Sequence, residues 1–228
     1  MQIPTLRLAL LLALLPLAAP AETPSPATFE HEDRALATLI EFPELRGDAR
    51  AVIRCVAVIE RDGKFDRSGC YETQPSDQVV IAAIGKATKK ARMTPARFDG
   101  RGREVYVQYR GLIERKGDEN TVVIYNNPGL TENVEAYGEA HVAAQRALTN
   151  EEWMQVCPQQ TRFLVWAKAH VDESGRQSSI SLIPGEGSPP ITEKCRAGIV
   201  ATLEASAFTP AYADGEPVPS SFIEPFGN

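Results

Sequence analysis

The chain has 228 residues, with 24 Lys and Arg against 30 Asp and Glu, a formal net charge of −6 and four cysteines. That length accommodates one or two domains. An acidic chain without clustered basic residues disfavours nucleic-acid binding, since neutralising phosphates needs grouped Lys and Arg.

Residues 1–21 carry one early charge at Arg7, an apolar run over 8–19, and Ala19 and Ala21 flanking Pro20. This is the pattern of a secretory signal peptide cleaved after Ala21. The run is shorter than the roughly 20 residues of a spanning helix and contains Pro16, so no membrane span is expected in the mature form. Residues 22–27 are Pro-rich and read as a flexible lead. Ala35, Leu36, Leu39 and Ile40 then recur at helical spacing within 29–40.

Strands over 52–59 and 65–71 form a predicted hairpin that turns at Asp62-Gly63. Ser76 is placed to cap the next helix, whose stripe is Val79, Val80, Ala83, Ile84 and Ala87. The densest basic group, Lys86, Lys89, Lys90 and Arg92, falls at that helix's end, where it complements the dipole. A loop through Pro95 and Gly100 leads to a strand over 104–113. There Val105, Val107 and Tyr109 alternate with Tyr106, Gln108 and Arg110. A further strand over 121–125 could return as a hairpin, and Asn126-Asn127-Pro128-Gly129 breaks it. Residues 131–148 read as a connecting helix. Thr149 with Glu152 makes a capping box for a short helix carrying Trp153. Strands over 162–171 and 178–183 follow, then a helix entered through Pro189-Pro190 with Ile191, Cys195, Ile199 and Leu203 on its buried face. A final strand is placed at 218–223.

The chain repeats itself. Thr94-Pro95-Ala96 with Asp99-Gly100 recurs as Thr209-Pro210-Ala211 with Asp214-Gly215, and Phe42-Pro43 aligns with Cys157-Pro158 in the same frame. The predicted fold class is therefore α+β: two tandem small domains, each a three-stranded antiparallel sheet with a helix on one face (β-β-α-β), plus connecting helices. The domains span 28–127 and 157–228, joined by a helical connector over 128–156.

Four cysteines in an exported chain suggest two disulfides. With a two-residue loop at Asp62-Gly63, counting outward brings Cys55 opposite Cys70, whereas a three-residue loop would place them on opposite faces. Cys157 and Cys195 then remain as partners; this is one of three connectivities that sequence leaves open. A metal site is not expected, since there is no C-x-x-C pair and no nearby His.

Together these residues resemble the carboxy-terminal domain of the TonB energy transducers. The resemblance rests on Phe42-Pro43-Glu44-Leu45, the 52–59 strand, Asp62-Gly63, the 79–87 stripe, Met93-Thr94-Pro95-Ala96 and Gly100. In the second copy it rests on Pro158, Ser174-Gly175, Phe208-Thr209-Pro210-Ala211 and Gly215. The resemblance implies a periplasmic protein that binds an extended segment of an outer-membrane receptor, or another envelope protein or peptide, as an added strand. It implies that Tyr106, Gln108 and Arg110 form the contact surface. If 121–125 pairs with 104–113, the free edge moves to Val122 and Ile124. Energy transduction is not expected, since the apolar segment is removed and no long Pro-rich linker is present.

The alternative is a structural or peptidoglycan-associated periplasmic module on the same fold. His31, His141 and His170 begin no motif, and there is no G-x-S-x-G elbow or phosphate-cradling glycine loop. No catalytic residue and no cofactor is assigned. Trp153 and Trp166 are placed in core volume.

Overall fold

The computed structural model describes residues 23–29, 33–71, 74, 77–148, 151–158 and 162–227. The predicted signal peptide, Glu30-His31-Glu32, Ser76 and Thr149 lie outside these residues. The chain is mixed α+β, mostly antiparallel sheet with few helices.

Its amino-terminal lead is held rather than flexible. Ser25 exchanges backbone hydrogen bonds with Arg97 at 2.9 and 3.0 Å, and Ala27 is fully buried. The helix expected over 29–40 is mostly replaced. β1 (Thr28–Phe29) is a strand, and among the described residues of that span only α1 (Leu36–Leu39) is helical. Burial of Phe29 decides this, because its ring stands edge-on to Tyr109 at 5.5 Å, a contact made from an extended backbone.

β2 (Ala49–Ile59) and β3 (Phe65–Tyr71) form the first hairpin. Its loop has three residues, not two: Glu60 N–H donates to Lys64 O, and Gly63 N–H to Glu60 O with Gly63 at φ +82°. Cys55 and Cys70 nevertheless face each other and are bonded, because the register shifts between Ala57↔Ser68 and Ile59↔Phe65. Two residues of β3, Asp66 and Arg67, oppose Val58 alone, so a bulge returns the side chains to register.

α2 (Gln78–Thr88) buries Val80, Ile84, Ala87 and Thr88, whereas Val79, expected in the stripe, is exposed. β4 (Met93–Thr94) pairs with β1. β5 (Arg97–Phe98) and β6 (Arg101–Gly102) form a tight hairpin through Asp99 and Gly100, both at positive φ, as a type I′ loop requires. β7 (Val105–Lys116) then pairs with all of β2, from Ile59↔Val105 to Ala49↔Arg115, and β8 (Glu119–Tyr125) folds back on its other side.

Residues 131–148 are not one helix. α3 (Thr131–Tyr137) stops at Gly138, φ +77°, and Asn127 Nδ2 donates to the carbonyls of Glu139 and His141 at 2.9 and 2.8 Å. That turn sends β9 (Gln145–Ala147) back to β7 beside β8. α4 (Trp153–Val156) buries Trp153.

β10 (Leu164–Val171) and β11 (Gln177–Pro184) form another hairpin with a three-residue loop and a compensating bulge, where Ser179 takes φ +54°. Thr192 Oγ1 caps α5 (Glu193–Ala205) by accepting from Cys195 N–H at 3.2 Å. Cys195 bonds to Cys157, and Ile199 and Leu203 join it in the core. β12 (Phe208–Thr209) pairs with β9. β13 (Ala211–Ala213) and β14 (Glu216–Val218) make a second hairpin, through Asp214 and Gly215 at positive φ, and β15 (Ser220–Gly227) pairs with β10. The final strand therefore begins later and runs further than expected.

The larger sheet has the order β12-β9-β7-β2-β3, with β8 also on β7, and the smaller is β11-β10-β15. One face of the larger sheet, with Ile53, Cys55, Ala57, Val107 and Tyr109, packs on α1 and α2. Its opposite face sends Tyr106 and Val56 into a second core with Ala167, Ile199, Leu203, Phe208, Phe222 and Phe226.

Candidate functional site

A sheet offers a partner its unpaired strand edges, so the outer strands locate any strand-addition site. β7 is not among them, being paired with β2 on one side and with β8 and β9 on the other.

β15 is an outer strand, but side chains cover it. Asn133 behaves as a strand one residue long: its Oδ1 accepts from Ser221 N–H at 3.0 Å and its Nδ2 donates to Ser221 O at 2.8 Å. Gln108 Nε2 donates to Ile223 O, and Pro225 has no N–H to offer. Alternate residues of a strand face the same edge, so one side of β15 is largely satisfied from Ser221 to Pro225.

β3 and β11 are outer strands broken by bulges, at Asp66 and Arg67 and at Ser179, and β11 ends on Pro184. Both features discourage edge pairing. β8 differs. It keeps unbroken register with β7 over seven pairs, from Arg110↔Tyr125 to Lys116↔Glu119, and contains no proline. Among the described residues no other segment makes a backbone hydrogen bond to it. Val122 and Ile124 pack partly buried against the core on the α1 side. Val123 and Tyr125 lie on the opposite face, each half-buried.

The structure places Tyr106, Gln108 and Arg110 on one face of β7, but that face is turned toward the rest of the chain. Tyr106 is buried, its hydroxyl has no hydrogen-bond partner among the described residues, and burial pushes its pKa well up. Gln108 covers the β15 edge. Arg110 forms an ion pair with Glu139 and lies over the Tyr125 ring at 4.5 Å; burial, then Arg54, lowers its pKa. These three residues join the halves of the chain. Val122 and Ile124 alone among the expected contact residues sit on an outer strand.

A buried charge network sequence reading missed spans the same junction. Arg146 on β9 donates to both oxygens of Glu224 on β15 at 2.7 Å, to Glu151 at 2.9 Å and to Ser206 Oγ at 3.3 Å. Trp153 Nε1 donates to Glu151 Oε2 at 2.6 Å. Burial pushes the Glu224 carboxyl up and Arg146 pulls it partly back. Burial also opposes the Arg146 charge, but the two carboxylates hold it protonated. The only sequence signal was an Arg among the mostly apolar residues 142–148, a stretch read as part of the connecting helix.

His141 is buried, and burial lowers its pKa; its Nδ1 donates to Gly138 O at 2.7 Å. His170 is exposed, and His31 lies outside the described residues. No three His, Cys, Asp or Glu side chains among the described residues are grouped to hold a metal. No described helix is long and apolar enough to cross a membrane, and the two disulfides fit an oxidising compartment. The chain matches no protein-family model, no curated protein and no solved structure.

Proposed function

We propose that this is a periplasmic, non-enzymatic binding protein of two tandem β-β-α-β units resembling TonB carboxy-terminal domains. It captures an extended segment of an outer-membrane receptor or another envelope protein as a strand beside β8, as an accessory to TonB-dependent transport. The observation that carries this reading is the contrast among outer strands: β8 is regular and, among the described residues, open, whereas β3 and β11 are bulged and β15 is covered by Asn133 and Gln108. Backbone groups on such an edge supply affinity, and the alternating side chains select the sequence.

The tandem reading draws support from matched local devices. Gly63 and Gly175 close equivalent three-residue loops, and a Cβ on either would collide with the carbonyl oxygen of Met93 or Phe208, the first residues of β4 and β12. Each of these two hairpins carries one compensating bulge, and Asp99-Gly100 and Asp214-Gly215 each close a two-residue loop with both residues at positive φ.

Proline scanning of β8 tests the function. Successive residues direct their N–H groups to opposite edges, so of Val122→Pro and Val123→Pro one breaks the β7–β8 ladder and the other removes only an outward donor. The outward variant should keep the wild-type unfolding midpoint and lose photo-cross-linking of envelope proteins to a probe at Thr121. Undiminished cross-linking in both variants would exclude strand addition at β8.

A further inference from the structure

Away from the β8 edge, a groove of ≈ 470 Å³ lies between the two sheets. Its floor is Arg54 and Val56 of β2, one wall is the 128–132 segment, and the other carries Trp166 and Ile183. Such a volume suits a small organic molecule.

Two features describe its occupant. The first is an unneutralised cation. Arg54 is exposed, and its Nε donates to Pro128 O at 3.0 Å, which holds the guanidinium along the wall; its side chain makes no ion pair among the described residues. The other charges nearby are spoken for: Arg110 pairs with Glu139, and Lys168 with Glu132 at 2.6 Å. Among the described residues, Arg54 is therefore the lining cation without an acidic partner, the lining carboxylate Glu132 being held by Lys168, and a guanidinium favours a planar carboxylate.

The second feature is aromatic and apolar surface left in water. Tyr71 and Trp166 meet at the mouth with ring centroids 5.9 Å apart. Tyr71 is 39% exposed and Ile183 48%. Val52, also exposed, precedes Arg54 by two residues and shares its face of β2. Large apolar side chains gathered beside a single cation mark a binding surface more than a solvated one.

We propose that this groove binds a small aromatic carboxylic acid, with the carboxylate on Arg54 and the ring against Tyr71, Trp166 and Ile183. The site lies on β2, which β7 separates from β8 in the sheet, so its lining is distinct from the β8 edge.

The test titrates the mature, disulfide-bonded protein with 3-phenylpropionate and with its uncharged twin 3-phenylpropan-1-ol, following the Trp166 indole N–H by NMR and the heat of binding. The acid should bind saturably at one site and shift Trp166 while the Trp153 signal stays in place. The alcohol should bind about tenfold more weakly or worse, and Arg54→Gln should weaken the acid by a similar factor while leaving the alcohol unchanged. Tyr71→Ala, at the exposed mouth, should weaken both ligands. No saturable shift of Trp166 at millimolar acid, or equal affinity for acid and alcohol, or full affinity in Arg54→Gln with the native spectrum retained, would each overturn the proposal.

Discussion

Replacing Arg146 with Met would leave the Glu224 carboxylate buried, 4% exposed, without the two 2.7 Å hydrogen bonds that neutralise it. Removing one member of a buried ion pair costs about 3–5 kcal/mol, because the remaining charge keeps its desolvation penalty and loses its compensation. Against a total stability of about 5–15 kcal/mol, that is a large fraction. Adding Glu224→Leu removes the stranded charge. Glu151 keeps its bond from Trp153, and Ser206 Oγ keeps its bond to Thr202 O at 2.7 Å, so the double variant should return to within about 1–2 kcal/mol of the parent. Urea unfolding of the four proteins at pH 7 gives the coupling energy, expected to be at least about 2 kcal/mol. Two single effects that simply add in the double variant would refute the claim that pairing is what makes this burial tolerable.

The same cycle has a pH signature. The Glu224 carboxyl is already raised by burial, with Arg146 opposing the rise, so losing Arg146 raises it further. An acid with a raised folded pKa adds stability that is fully present below its unfolded value and lost as pH rises through the folded one. Arg146→Met should therefore recover stability between pH 7 and pH 5 relative to the parent, and the double variant should not. A gap between Arg146→Met and the parent that is flat across that range would mean that lost packing, not stranded charge, causes the defect.

Reducing the disulfides should destabilise unequally. Loop closure over 15 and 38 residues predicts about 3 kcal/mol for Cys55–Cys70 and about 4 kcal/mol for Cys157–Cys195, measured as paired Cys→Ala variants in urea. Gly63→Ala combines φ +82° with a collision against the Met93 carbonyl, whereas Gly117→Ala has φ +60° and open space. The first should lower the thermal midpoint several degrees more than the second. Asn133→Ala uncovers Ser221 N–H and C=O on the β15 edge. It should cost about 1–3 kcal/mol and promote concentration-dependent association, seen by analytical ultracentrifugation.

What could be read from the sequence was local chemistry whose geometry one turn or one alternation determines. Asp99-Gly100 and Asp214-Gly215 announce loops that need two residues at positive φ, and the 105/107/109 alternation identifies the buried side of β7. Compensation between distant residues was hidden. The first hairpin has the loop length that should have separated Cys55 from Cys70, and a bulge at Asp66 and Arg67, for which the sequence carries no signal, brings them back. The helix expected over 131–148 fails because Asn127 holds the carbonyls of Glu139 and His141 and Gly138 reverses the chain, a tertiary arrangement that outweighs helical periodicity. That failure governs the candidate site. With a continuous helix, neither Arg146 nor Asn133 would have its place: β9 would not sit on β7 to present Arg146 to Glu224, and α3 would not end where Asn133 can satisfy Ser221. The polar face of β7, which looks solvated when the strand is read alone, becomes an internal junction once those two elements arrive. Gln108 shows the shift best. The family resemblance implied partner binding at this residue, and its amide instead satisfies a strand of its own chain, which removes one open edge and leaves β8 as the regular one.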